Sequence, residues 1–144
     1  MRLRLTLLFV GIVGPIIGIW YAFYAPGNDI AWAADYDTAQ RQAAETGKPM
    51  ILFFTAEWCT PCRIMKRQVW ADEEVEATVS AGFVAVMSDV EDPDGDVATF
   101  ERYPVGAWPT TYVTDAQGNV LAHAAGGLGK AEFLELLDRA TAPH

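Results

Sequence analysis

Two cysteines, Cys59 and Cys62, stand in the stretch Ala56-Glu57-Trp58-Cys59-Thr60-Pro61-Cys62-Arg63, and no other cysteine occurs in the chain. Thiols at that spacing can serve half of a metal site, a structural bridge, or a pair that cycles between dithiol and disulfide. A structural zinc site takes four ligands, commonly from two such pairs. The two histidines, His123 and the terminal His144, stand at no ligand spacing, so no metal is expected. A structural disulfide suits an exported protein, but a bridge closing so short a loop removes little entropy from the unfolded chain and makes a weak staple.

The third reading follows from the neighbouring elements. Met50–Thr55 (MILFFT) is a continuous apolar run of the kind that forms a strand buried on both faces. A helical pattern runs from Cys59 to about Val69, which puts Cys59 at or before the first helical turn. Free N–H groups and the helix dipole stabilise a thiolate there, and thiols in such pairs fall from about 8.5 toward about 7 or lower. Cys62 lies one turn along, within reach of Cys59, less exposed and suited to resolve a mixed disulfide. Pro61 fits the first turn and stiffens the loop. A redox pair is the favoured reading of the three.

The other elements are read more coarsely. Asp35–Thr46 is rich in helix formers, with Asp35 or Asp37 as a cap and Gly47-Lys48-Pro49 as a stop. A second helix starts at Asp72 and runs to about Val79, Phe83–Val90 reads as a buried strand, and Asp94–Tyr103 as a helix ended by Pro104. Thr110–Thr114 and Val120–Ala124 flank Asp115–Asn119, a hairpin turn signal. Lys130–Ala140 is amphipathic, with Phe133, Leu134 and Leu137 on one side. The expected fold is α/β, a central mixed β-sheet flanked by helices.

Met1-Arg2-Leu3-Arg4 is basic, and Leu5–Ala25 carries no charge. About 20 helical residues cover the roughly 30 Å hydrocarbon core of a bilayer. Gly11, Gly14, Pro15 and Gly18 are tolerated in such spans, and Trp20, Tyr21 and Tyr24 suit the headgroup zone at the far end. Residues 1–25 are therefore read as an N-terminal transmembrane helix, 26–34 as a linker and 35–144 as the folded domain. Arg2 and Arg4 favour a cytoplasmic N-terminus and an exported domain. A signal peptide cleaved near Ala31-Trp32-Ala33, giving a secreted periplasmic protein, is the alternative. The net charge of −9 lacks the basic footprint nucleic acid requires, so no nucleic-acid partner is expected.

Trp58-Cys59-Thr60-Pro61-Cys62, the preceding strand end Phe53-Phe54-Thr55-Ala56-Glu57 and Trp108-Pro109-Thr110 resemble the thioredoxin superfamily over about residues 35–141. The stretch Met65–Val75 is most similar to the thioredoxin-like domains of the DsbD C-terminal type. The resemblance implies a thioredoxin-like fold, with Cys59 and Cys62 as the redox-active disulfide and no other cofactor. It implies that Pro109 is a cis-proline facing the pair, that an extended substrate segment pairs with the backbone before it, and that Trp58 and Trp108 form an apolar platform. Thr60 and Pro61 fall between the cysteines, and Gly126-Gly127 matches the loop beside the site. Two departures stand out. Phe53 occupies a position where thioredoxins commonly carry a buried Asp that helps move a proton at the second cysteine, and Trp108 is bulkier than the usual residue before the proline.

What the resemblance implies is an extracytoplasmic protein-disulfide reductase. Its substrates would be protein disulfides, in apocytochromes (cytochrome c maturation) or other exported proteins, with a membrane electron-relay protein as partner and the domain facing the periplasm or cell exterior. A disulfide oxidase or isomerase, or a non-catalytic thioredoxin-fold binding or assembly module, are the alternatives. Asp92-Pro93-Asp94-Gly95-Asp96 faintly resembles a calcium loop but reads better as a solvated turn, and His123 reads as structural.

Overall fold

A computed structural model of the protein describes residues 2–23, 27–92 and 97–142. Tyr24, Pro26, Pro93–Asp96 and His144 lie outside the described residues, and with them part of the linker, of the acidic turn and of the helix expected from Asp94.

Six helices and four strands follow in chain order among the described residues: α1 (Arg2–Phe23), α2 (Tyr36–Thr46), β1 (Met50–Thr55), α3 (Thr60–Met65), α4 (Glu73–Gly82), β2 (Val84–Asp89), α5 (Val97–Arg102), β3 (Thr110–Thr114), β4 (Val120–Ala125) and α6 (Lys130–Thr141). The sheet order is β2-β1-β3-β4. β1 is parallel to β2 and antiparallel to β3, and β3 pairs antiparallel with β4, so the sheet is mixed. β1 takes the central place because all six of its residues can be buried at once.

Strand alternation divides the core in two. Met50, Leu52 and Phe54 pack with Tyr36, Ala39 and Ala43 of α2. Ile51 and Phe53 pack on the other face with Met65, Val69, Trp70 and, from α6, Phe133, Leu136 and Leu137. Trp70, fully buried, joins these elements, with ring centroids 4.8 Å from Trp32, 5.1 Å from Phe53 and 4.8 Å from Phe133.

The helix expected over Cys59–Val69 is not uniform. α3 ends at Met65 and continues as a π-helical turn, Lys66–Trp70. The wider turn brings Val69 and Trp70 onto the face that already holds Met65, and all three are buried. Neither period nor composition signals such a turn.

The helix ends carry their caps. Asp35 accepts from the Thr38 N–H at 2.7 Å, and Gly47 ends α2 in the left-handed region at φ 71°. Asp72 accepts from the N–H groups of Glu74 and Val75 and also pairs with Lys130 at 2.9 Å, tying the start of α4 to α6. Ahead of α2, Asn28 Oδ1 accepts from Trp32 Nε1 at 2.9 Å, and Ala33 bridges to Val86 on the outer edge of β2, so Ile30 and Ala33 are buried. α1 runs unbroken through Pro15, and the Arg67 guanidinium lies 4.8 Å from the Tyr21 ring centroid. Among the described residues no helix is long and apolar enough to cross a membrane.

Candidate active site

β1 is followed by buried Ala56, whose carbonyl accepts from the Cys59 N–H at 3.2 Å and turns the chain into α3. Cys59 is the N-cap of α3, extended at φ −81° and ψ 106°, and its sulfur takes the place of the usual capping oxygen. The Cys62 N–H donates to Cys59 Sγ at 3.1 Å. The two sulfurs form a disulfide, with Cα atoms 5.3 Å apart. The same geometry that caps the helix puts a donor on Cys59 Sγ, and that donor favours the anion when the bridge is reduced.

The turn holding the pair is braced from both sides. Glu57 N–H donates to Glu91 Oε2 at 2.7 Å. The Glu57 carbonyl accepts from Arg63 Nη1, and Arg63 Nη2 reaches Thr60 Oγ1 at 3.2 Å. In the sequence Arg63 is only the residue that follows Cys62. Its role as a clamp shows only when the helix folds it back over the turn. Glu91, beyond β2, gives no signal at all.

Trp58 is 60% exposed beside the cysteines, and its ring meets Trp108 edge-on at 5.8 Å. Trp108 packs against Ala56, Cys59 and Cys62. The Trp108–Pro109 peptide is cis, and the Pro109 carbonyl accepts from the Gly126 N–H at 2.7 Å. Gly126 sits at φ 95°, a region that favours glycine. A β-carbon on Gly127 would lie 3.5 Å from Pro61 Cβ, so this loop flanks the turn. Thr60 and Pro61 are exposed between the cysteines. The fold thus gathers Trp58, Cys59, Thr60, Pro61, Cys62, Trp108, Pro109 and Gly127 at one end of the sheet.

The sulfurs are more covered than the sequence suggests: Cys59 is 3% exposed and Cys62 fully buried. The cover is Trp108, whose bulk before the proline was the departure already noted. Phe53 lies fully buried against Trp70, packed as an apolar residue where a buried acid is usual. Glu57, Asp89, Glu91 and Asp92 line a cleft of about 350 Å³ on the exposed side of the turn. His123, exposed on β4, stacks on Tyr112 at 5.3 Å, away from the sulfurs in the sheet register. Among the described residues no group of three or more His, Cys, Asp or Glu is placed to hold a metal ion.

A strand-to-helix turn closed by a Cys-x-x-Cys disulfide, with a cis-proline at the start of the neighbouring strand of a mixed sheet, defines a protein of the thioredoxin fold class. The chain belongs to the thioredoxin-like domain family, whose model matches residues 36–141. It is 38% identical over 109 residues to the thiol:disulfide interchange protein DsbD of Ralstonia nicotianae, covering 74% of this chain and 18% of that one. The DsbD of Cronobacter sakazakii is 36% identical over 91 residues, covering 62% of this chain and 15% of that one. The chain therefore spans less than a fifth of the length of these relatives. Among solved structures, a thioredoxin from Thermus thermophilus superposes with a TM-score of 0.66 at 26% identity, covering 76% of this chain and 85% of that one. A putative disulphide-isomerase from Bacteroides thetaiotaomicron shares the fold, with a TM-score of 0.68 at 24% identity, over 83% of this chain and 99% of that one.

Proposed function

We propose that the domain is an extracytoplasmic protein-disulfide reductase, tethered to the membrane through the uncharged N-terminal segment of its sequence. The observation that carries the chemistry is the Cys59 sulfur, seated as the cap of α3 and receiving the Cys62 N–H. In the reduced enzyme the Cys59 thiolate attacks a substrate disulfide, and the departing substrate sulfur takes a proton. A mixed disulfide to Cys59 forms. Cys62 then loses its proton and attacks Cys59 Sγ, restoring the Cys59–Cys62 bridge and releasing the second substrate sulfur as a thiol. Two electrons pass from the dithiol to the substrate.

Trp58, Thr60, Pro61, Trp108, Pro109 and Gly127 surround the sulfurs and serve as the surface on which the substrate segment lies. Exposed Trp58, Ile64 and Val90 offer an apolar rim for it. The reducing direction rests on the Thr60-Pro61 dipeptide and its apolar flanks, which resemble reducing members of the superfamily. A reductant outside the cytoplasm needs an electron source, and the likeness to DsbD supports a membrane relay protein as donor. Disulfides of exported proteins, apocytochromes among them, are the substrate class. The tether rests on the uncharged run Leu5–Ala25 behind Arg2 and Arg4.

The test is capture. The Cys62→Ala variant should accumulate a mixed disulfide through Cys59, and wild-type protein should reduce insulin disulfides while Cys59→Ala does not. A reduction-resistant bridge, with no adduct in the Cys62→Ala variant, would mean a binding module instead. Recovery of the chain in the soluble fraction, starting beyond Ala33, would remove the tether.

A further inference from the structure

The exchange cycle needs Cys62 as an anion, yet the fold puts it in a fully buried place and sets Phe53 where an acid usually assists. Burial in apolar surroundings disfavours a thiolate. Something else on that face must meet the charge. Thr55 closes β1 and is fully buried, and its Oγ1 has no hydrogen-bond partner among the described residues. A buried hydroxyl without a partner costs free energy that a valine of the same shape would not, and such a group calls for an explanation.

Alternation along β1 places Thr55 on the side of Ile51 and Phe53, the face on which Met65, Val69 and Trp70 pack. Only Ala56–Cys59 separate Thr55 from α3, whose buried residues are Cys62 and Met65. On the neighbouring strand the register that pairs Phe54 with Thr110 brings Pro109 beside Thr55. Thr55 therefore lies at the sheet end, on the face that α3, the helix carrying Cys62, packs against through Met65.

The charged groups around this point are few. Asp89 is Thr55's register partner on β2, but its carboxylate accepts from the Glu91 N–H at 3.0 Å and lines the open acidic cleft with Glu57, Glu91 and Asp92. From the helix side come Arg63, engaged at Glu57 and Thr60, and half-buried Lys66 at the head of the π-helical turn. Thr111, paired with Phe53 one register step inward, is a second buried hydroxyl with no partner among the described residues.

We infer that the Thr55 hydroxyl is the hydrogen-bond donor that holds Cys62 as a thiolate for the resolving step. In the disulfide state Cys62 carries no charge and the hydroxyl waits unpaired, as seen here. When the bridge opens, Thr55 donates to Cys62 Sγ and the thiol proton leaves for water. The inference rests on the exchange reading above.

The experiment follows the two cysteine Cβ resonances of the reduced full chain by carbon NMR against pH, with no substrate present. Thr55→Val should move the Cys62 midpoint upward by about one pH unit or more, leave the Cys59 midpoint in place, and leave the melting temperature of the oxidised form unchanged or higher. Thr55→Ser, which keeps the hydroxyl, should restore the wild-type midpoint. Thr111→Val should not move it. An unshifted Cys62 in Thr55→Val overturns the assignment, as does an equal shift in Thr111→Val, or a shift produced by Asp89→Asn alone. Should Thr55→Val fold poorly, the comparison of Thr55→Ser with Thr55→Ala decides in the same way. Because the titration needs no turnover, failed insulin reduction sinks the exchange reading and leaves this measurement standing.

Discussion

The two faces of the sheet treat most of their buried polar groups differently, with Thr114 Oγ1, paired in register with Met50, the exception that stands unpartnered on the α2 face among the described residues. On the α2 face the three tyrosines are all partnered. Tyr36 and Tyr103 share a hydrogen bond at 3.1 Å, Tyr103 donates to the Gly118 carbonyl at 2.9 Å, and Tyr112 donates to the Pro104 carbonyl at 2.6 Å. On the α3 face, Thr55 Oγ1, Thr111 Oγ1 and Trp70 Nε1 are buried with no partner among the described residues. The first face uses hydrogen bonds to fasten the β3–β4 turn and the segment after α5 to the sheet. The second is held by aromatic packing around Trp70, and of its unpartnered groups Thr55 is the one that closes β1 ahead of the cysteine turn. Fully met networks give rigidity, and an unmet buried group calls for an explanation.

Trp70→Ala gives the largest effect. It removes the ring shared by Trp32, Phe53 and Phe133, and denaturant unfolding should show a loss of about 3–5 kcal/mol. A loss under about 1 kcal/mol would mean that packing does not hold this face. Tyr103→Phe comes next. It strands the Gly118 carbonyl and the Tyr36 hydroxyl, for about 1–3 kcal/mol at neutral pH. Burial, with the Tyr36 hydroxyl close by, pushes the Tyr103 phenol well above the ordinary tyrosine range. Stability from this group is therefore present below about pH 10, where an unfolded tyrosine stays neutral, and is lost as the pH rises further. Alkaline unfolding should be steeper in the wild type than in Tyr103→Phe, and equal slopes would break the contrast between the faces. The smallest effect belongs to Asp72→Asn. The Lys130 ammonium and the Val75 and Glu74 amides hold the Asp72 carboxyl below its ordinary value. Its contribution is present above the unfolded carboxylate range near pH 4 and is lost as the pH falls through the lower folded value. The variant's melting temperature should match that of the wild type in acid and drop slightly below it at neutral pH.

Much of this was legible beforehand for a physical reason. The Met50–Thr55 run has the length and composition of a strand buried on both faces, and a helix start directly after it brings Cys59 to a helix end. Asp35, Gly47 and the Asp115–Asn119 turn announce themselves because caps and turns are local chemistry. The π-helical turn was not legible, since it exists to bring Trp70 under Trp32 and Phe133, residues far off in the chain. Arg63's grip on Glu57 and Glu91's hold on the same residue are also long-range outcomes, as is the cover Trp108 places over Cys59.

By itself the sequence determined the reactive pair, its seat at a strand-to-helix junction, and the kind of sheet around it, because these follow from spacing, period and capping within about a dozen residues. Only the tertiary structure decided how far the cysteines are closed off, which side chains brace their turn, and which buried hydroxyls of the sheet stand unpaired. Those properties come from strands and helices meeting across the sheet, where contact is set by packing rather than by neighbourhood in the chain.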